Sequence, residues 1–171
     1  MKRFTSLKVV LATLLLLYSA AIATRQTGSH GVSLDPPAGW LIQAAPQTAL
    51  VLMAPEPLET FHPNINVLVQ QTGSTTYDQY HTITVESASN FNGTTSGYAP
   101  FTFNNGKTGR SLILNFQSEG QNFTSLSIWL TENGTTYLVT GTTTAEDYPN
   151  KEAFFYETAK TLLINRDKLG G

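Results

Sequence analysis

The chain has 171 residues, no cysteine and a formal net charge of −2 at pH 7. The length fits one domain plus a targeting segment, and the lack of cysteine excludes a disulfide scaffold, a thiol nucleophile and a thiolate metal site. The acidic balance argues against a nucleic-acid partner or capture by anionic lipid, since both require a basic patch.

Residues 1–23 have the layout of a secretory signal peptide. Three basic residues precede the apolar stretch Val9–Ala21, which is shorter than the roughly 20 residues that a bilayer span requires. Ala21 and Ala23 are the small residues that signal peptidase requires before its cleavage site, so we expect cleavage after Ala23. The alternative is an uncleaved N-terminal anchor. Cleavage would remove three of the ten Lys and Arg residues, so the remaining chain would have 7 basic residues against 12 Asp and Glu residues. We therefore expect an exported protein, periplasmic or extracellular, without a stable membrane span once the signal is removed.

Beyond a flexible lead at residues 24–30, a single domain is expected over residues 31–165. Strands are predicted where apolar and polar residues alternate, or where short apolar runs end at turn residues. Asn105-Gly106 and Asn133-Gly134 are typical of two-residue hairpin turns. The predicted strands are Gly31–Leu34, an extended piece after Trp40, Ala49–Met53, Asn64–Gln70, Tyr98–Phe103, 111–116, 125–131 and Thr135–Thr142.

Two helices are predicted. Tyr77–Ser89 carries aromatic and apolar residues at helical spacing, and Thr75 with Asp78 resembles an N-terminal capping pair. A second helix runs from about residue 150 to 164, and residues 166–171 form a tail. The order of strands, helix, strands and helix indicates an α+β domain, with helices packed on an antiparallel sheet.

The sequence resembles the PsbP-like superfamily, which includes PsbP and the DcrB-like and LpqN-like exported proteins. Three features carry the resemblance: the opening Val32-Ser33-Leu34-Asp35-Pro36-Pro37-Ala38-Gly39-Trp40, the segment Phe61-His62-Pro63-Asn64-Ile65-Asn66-Val67, and a final helix that ends near Leu162-Leu163-Ile164. The resemblance implies an α/β/α sandwich and an accessory or binding role. It supplies no shared catalytic motif.

Candidates for chemistry are few. The three histidines, His30, His62 and His81, lack the ligand spacing of a metal site. Asp78 with His81 is better explained as solvated polar residues on a helix. No G-x-S-x-G motif marks a nucleophile elbow, and no phosphate-binding loop is present. We therefore expect no catalytic residue, no metal and no cofactor.

Two tryptophans are candidates for binding. Trp40 follows two prolines and a glycine, and we expect it to anchor the core rather than bind a partner. Trp129 lies on the strand face opposite Leu126, Ile128 and Leu130. If that face of the sheet is open, Trp129 is a weak candidate for ligand binding; if a helix covers it, Trp129 belongs to the core.

The leading functional hypothesis is an exported, non-catalytic accessory protein of the cell envelope that acts through protein–protein interaction. Its partner would be another envelope or extracellular protein. The alternative is a secreted small-ligand or carbohydrate-binding domain that uses aromatic residues on the sheet face. A secreted hydrolase is a remote third possibility.

Overall fold

The computed structural model describes residues 24–58 and 61–165. The predicted signal peptide, its cleavage point after Ala23 and the tail at 166–171 lie outside these residues. No helix within the described ranges is long and apolar enough to cross a membrane. The described chain forms these elements: β1 (Gln26–Thr27), β2 (Val32–Leu34), β3 (Leu41–Gln43), β4 (Leu50–Met53), β5 (Asn64–Gln71), α1 (Tyr77–Ser89), β6 (Thr94–Thr102), β7 (Thr108–Ser118), β8 (Gln121–Glu132), β9 (Thr135–Thr144), α2 (Tyr148–Lys160) and β10 (Leu163–Ile164).

A seven-stranded antiparallel sheet forms the centre of the domain, in the order β3-β4-β5-β9-β8-β7-β6. The hairpin between β8 and β9 turns at Asn133 and Gly134, whose φ angles are 49° and 74°. Both angles lie in the left-handed region that a type I′ turn requires, which confirms the prediction from the Asn-Gly pair.

The main core lies on one face of this sheet, beneath α2 and a small three-stranded sheet. The small sheet has the order β1-β2-β10, and its central strand β2 is buried throughout. Alternate residues of β8 point into this core, as the period of two predicts. The core cluster includes Val32, Leu34, Leu52, Ile65, Val67, Leu126, Ile128, Leu130, Val139, Phe155, Ala159 and Leu162.

Helix α1 covers part of the opposite face, over β6 and β7. Ala88 is its one buried residue, so α1 is fixed to the sheet mainly by tyrosines. The Tyr77 hydroxyl donates to the Thr108 carbonyl oxygen at 3.2 Å and accepts from the Thr131 backbone N–H at 3.1 Å. Tyr80 donates to the side-chain oxygen of Gln70 at 2.6 Å. With a helix on each face, the domain has the predicted α+β architecture.

Several local predictions were wrong. The capping box of α1 is formed by Thr76 and Gln79 rather than by Thr75 and Asp78, because the chain becomes helical only at Tyr77. The second helix begins at Tyr148 and ends at Lys160, whereas we expected 150–164. It ends early because Leu163–Ile164 pair with β2 as a strand. The lead at 24–30 also contains strand β1, which the sequence pattern did not indicate.

Candidate binding groove

Three adjoining cavities lie beside α2. The central cavity has a volume of about 320 Å³ and is mainly apolar. It shares Leu58 with a polar cavity of about 610 Å³ on one side. On the other side it shares Pro37 and Phe154 with a cavity of about 290 Å³. Because neighbouring cavities share walls, the three form one groove, which we call the α2 groove.

Trp40 links the central cavity to the core. Its indole ring is half-buried and packs edge-on against Phe155, with ring centroids 6.4 Å apart. It also lines the cavity together with Phe154, whose side chain is 51% exposed. Trp40 therefore packs against the core, as predicted, and also presents surface to the groove. The described residues that line it are Pro37, Ala38, Trp40, Ala54, Pro55, Glu56, Leu58, Pro63, Lys151 and Phe154.

One face of α2 forms a wall along the whole groove. The α2 residues and caps that line it recur at intervals of three or four, which is the spacing of one helix face. From Asp147 to Thr161 this face extends about 21 Å, at roughly 1.5 Å per residue. The lining positions are Asp147, Asn150, Lys151, Phe154, Glu157, Thr158 and Thr161.

Proline-rich segments form the wall that faces α2 in the central cavity and in the smaller cavity beside it, and backbone hydrogen bonds fix them. The N–H of Trp40 donates to the Pro37 carbonyl at 3.2 Å, which closes the turn after the double proline. The N–H of Ala54 donates to the Pro63 carbonyl at 2.8 Å, across the base of the second loop. Because proline fixes φ and adds no backbone donor, this wall is stiff, and its prolines present ring carbons to the groove.

The second loop is also held near its tip. Leu58 and Phe61 exchange backbone hydrogen bonds of 2.7 and 2.9 Å. The Phe61 ring lies 4.8 Å from the Phe123 ring, centroid to centroid. His62 places Nδ1 at 3.0 Å from the Ala54 carbonyl oxygen. These contacts hold Leu58 at the junction of the central and polar cavities.

Among the described residues that line the groove, the charges are mostly negative, with five carboxylates against the ammonium group of Lys151. Three carboxylates have partners: Asp147 with Lys151 at 3.6 Å, Asp35 with Arg25 at 2.9 Å and Glu157 with Lys160 at 2.6 Å. Glu56 and Glu146 form no ion pair with any other residue that the structure describes. The groove therefore carries a negative surplus.

Trp129 lies away from this groove, under α1. Its side chain has 0% exposure and contacts the rings of Tyr80 and Tyr98, with centroids 5.4 and 6.0 Å away. Its Nε1–H is buried and has no hydrogen-bond partner among the residues that the structure describes. The hypothesis that Trp129 faces an open sheet does not describe this structure, because α1 covers the ring. Of the two alternatives, the position under a helix is the one observed.

The histidines are dispersed. His81 stacks on the Tyr98 ring with centroids 4.0 Å apart, and the Tyr98 hydroxyl donates to Asp78 at 2.9 Å. His30 contacts the Ser29 hydroxyl at an exposed turn. Within residues 24–58 and 61–165, no three His, Cys, Asp or Glu residues are grouped so that they could hold a metal ion.

No protein-family model matches the sequence, and no curated protein matches it closely. Solved structures do resemble it. PA94 of Pseudomonas aeruginosa is 16% identical with a TM-score of 0.60, covering 82% of this chain and 97% of that one. Cyanobacterial PsbP from Synechocystis is 15% identical with a TM-score of 0.56, covering 86% and 96%. LpqN of Mycobacterium tuberculosis, a protein involved in cell envelope biogenesis, is 13% identical with a TM-score of 0.63, covering 82% and 86%.

These similarities establish the fold. The chain has the fold of the PsbP-like proteins, which confirms the resemblance drawn from the opening motif and the order of elements. At 13–16% identity, they show nothing beyond the fold.

The sequence pattern did not reveal the α2 groove. Trp40 was considered as a binding residue, but Leu58, Phe154 and the cavities beside them were not predicted. The sequence does contain one signal for the groove, because six of the eight prolines lie between residues 36 and 63. A second is Phe154, an aromatic residue that falls beside the apolar stripe of Phe155, Ala159 and Leu162.

Proposed function

We propose that this protein is an exported, non-catalytic accessory protein of the cell envelope that binds another protein through the α2 groove. The observation that carries the proposal is the groove itself. A single concave surface combines Trp40, the half-exposed Phe154 and a stiff proline wall. Protein interfaces favour such an apolar, aromatic centre with a polar rim.

Export to the cell envelope is supported by the sequence and by the structural neighbours. The first 23 residues have the layout of an export signal. One neighbour, LpqN, is described as involved in cell envelope biogenesis. A non-catalytic role is supported by the surroundings of two histidines: His62 faces a backbone carbonyl and His81 stacks on a tyrosine ring.

Two matched positions allow a site-specific test. Phe154 in the groove and Ile83 on α1 are both helical and apolar, with exposures of 51% and 53%. A photo-crosslinking amino acid is placed at either position in the full chain, expressed in the cells that make the protein. After illumination, the envelope fraction is purified through a C-terminal tag.

We expect a discrete cross-linked product from position 154 and none from position 83. Leu58→Ser in the same chain should reduce the product from position 154, because Leu58 lines the same groove. Equal labelling from both positions, or no product from position 154, would contradict the proposal. Cell fractionation and sequencing of the mature N-terminus test export separately, with Thr24 as the expected first residue.

A further inference from the structure

We infer that the α2 groove binds an extended peptide segment of about six residues, with apolar side chains in its centre and Lys or Arg toward its ends. This inference rests on the proposed function and specifies the chemistry of the partner. It follows from the length, the shape and the charge of the groove, which are argued in turn.

The length and shape fit an extended chain. The α2 wall is about 21 Å long at roughly 1.5 Å per helical residue. An extended peptide advances about 3.3 Å per residue, so about six residues span this wall. Opposite α2, two loops fixed by the Pro37–Trp40 and Ala54–Pro63 hydrogen bonds line the central cavity, and Gly120, Gln121 and Asn122 line the polar cavity. A groove that follows one helix face in this way matches the length of a single extended strand.

The centre of the groove selects apolar side chains. Trp40, Leu58 and Phe154 meet there, with ring carbons from three prolines around them. The volume of about 320 Å³ accommodates one or two side chains of leucine size but not a helix. Burying each such side chain in this cavity would be favourable by the usual hydrophobic effect.

The ends of the groove select positive charge. Glu146 and Asp147 line the polar cavity, and Asp35 and Glu157 line the cavity at the opposite end. Glu146 has no ion-pair partner among the described residues, and neither does Glu56 at the rim of the centre. A basic residue at the Glu146 end would meet an unpaired carboxylate, and one at the opposite end would share Asp35 and Glu157 with Arg25 and Lys160. An acidic residue at the Glu146 end would be repelled.

The two tryptophans provide a probe with an internal reference. The sequence contains two tryptophans: Trp40 lines the groove, and Trp129 is buried under α1 on the other face of the sheet. Isotope labelling of tryptophan in the full chain therefore gives one indole N–H signal from the groove and one from a remote position. Binding in the groove should shift the first signal and leave the second unchanged.

Three capped six-residue peptides are titrated. The first has leucines in the centre and lysine at both ends, the second replaces lysine with glutamate, and the third replaces leucine with serine. We expect the first peptide to shift the Trp40 signal alone. The second should bind about tenfold more weakly, because like charges oppose it, and the third should not reach saturation.

Protein variants assign the effect to the groove. Glu146→Gln should weaken binding of the lysine peptide about threefold, as expected for one partly screened charge. The same variant should not weaken binding of the glutamate peptide. Glu86→Gln, at an exposed position of α1 on the other face of the sheet, is the matched control and should have no effect. Added salt should weaken binding of the lysine peptide.

The inference is wrong if the lysine peptide leaves the Trp40 signal unmoved, if the glutamate or serine peptide binds as tightly, or if Trp129 shifts together with Trp40. These results are distinguishable from failure of the proposed function. Cross-linking from position 154 without any peptide binding would retain protein binding and reject the extended segment. Peptide binding without a cross-linked product in cells would retain the groove chemistry and reject the envelope partner.

Discussion

Trp40 packs edge-on against Phe155, with 6.4 Å between ring centroids and 84° between ring planes. Phe155 points into the core, with 2% exposure, while its neighbour Phe154 points out into the groove. Trp40 contacts the core through Phe155 and shares a cavity with Phe154. Stability and the proposed binding therefore involve the same indole ring, so variants at Trp40 need a measurement of each.

Replacing Trp40 with alanine should lower the free energy of unfolding by about 2–3 kcal/mol. Fully buried aromatic residues cost about 3–5 kcal/mol on truncation, and the half-buried ring of Trp40 should cost less. Trp40→Phe retains a ring against Phe155 and should cost about 1 kcal/mol. Denaturant unfolding of both variants measures the difference. Unchanged stability of Trp40→Ala would mean that the contact with Phe155 contributes little.

Gly141→Ala should destabilise the domain by about 1–3 kcal/mol, the usual cost of overpacking. A Cβ atom added at Gly141 would overlap the ring carbons of Phe155, which crosses β9 at this point. The partner change Phe155→Leu creates space, so the double variant should lose less than the sum of the two single variants. Strict additivity in thermal unfolding would contradict this account.

Thr76→Ala should destabilise α1 by about 1 kcal/mol, the typical cost of removing an N-cap side chain. The Thr76 hydroxyl accepts from the Gln79 N–H at 3.2 Å, and the Gln79 side chain accepts from the Thr76 N–H at 2.9 Å. Thr82→Ala is a matched control, since Thr82 is exposed within the same helix. We expect the control to be neutral. Amide hydrogen exchange in the first turn of α1 measures the effect locally.

Stability should fall at alkaline pH because the pKa of each of three tyrosines, Tyr148, Tyr80 and Tyr98, is raised in the folded state, mainly by burial. Burial, followed by the nearby Glu152 carboxylate, raises the pKa of Tyr148 well above its ordinary value. Burial also raises the pKa of Tyr80. The stabilisation is complete below the unfolded-state pKa of about 10 and is lost as pH rises toward the folded-state values.

Tyr148→Phe should therefore flatten the alkaline decline in unfolding free energy between about pH 9 and 12, whatever its effect at neutral pH. Tyr156→Phe on the same helix, at a half-buried position, is the comparison. Parallel alkaline declines in the wild type and in Tyr148→Phe would show that Tyr148 ionises equally in the folded and unfolded states.

Local patterns predicted much of the sheet and one helix. The alternation of Leu126, Ile128 and Leu130 with Ser125 and Ser127 predicted both the strand β8 and its core face. The bounds of α1 were predicted as Tyr77–Ser89 and are observed there. In these elements the apolar pattern and the turn residues indicate the same structure, so no distant contact is needed to define it.

Elements that depend on distant pairing were not predicted. Leu163 and Ile164 look like the end of an apolar helix face, but they pair with Ser33 and Val32 of β2. The α2 groove has the same origin, because its walls come from residues 35–38, 40, 54–58, 63, 104, 120–122 and 144–161. Each segment alone resembles an ordinary loop or helix, and the concave surface exists only once the sheet brings them together.

The small sheet also constrains the order of folding. Strand β2 receives β1 on one edge and β10 on the other, so its pairing is incomplete until Leu163 and Ile164 have left the ribosome. One end of the groove also depends on this late segment. The Arg25 side chain donates to the Thr161 carbonyl oxygen at 2.9 Å, and the Asp35 N–H donates to the Thr161 hydroxyl oxygen at 2.8 Å. A nascent chain therefore cannot complete the small sheet or this end of the groove until residues 161–164 have been made.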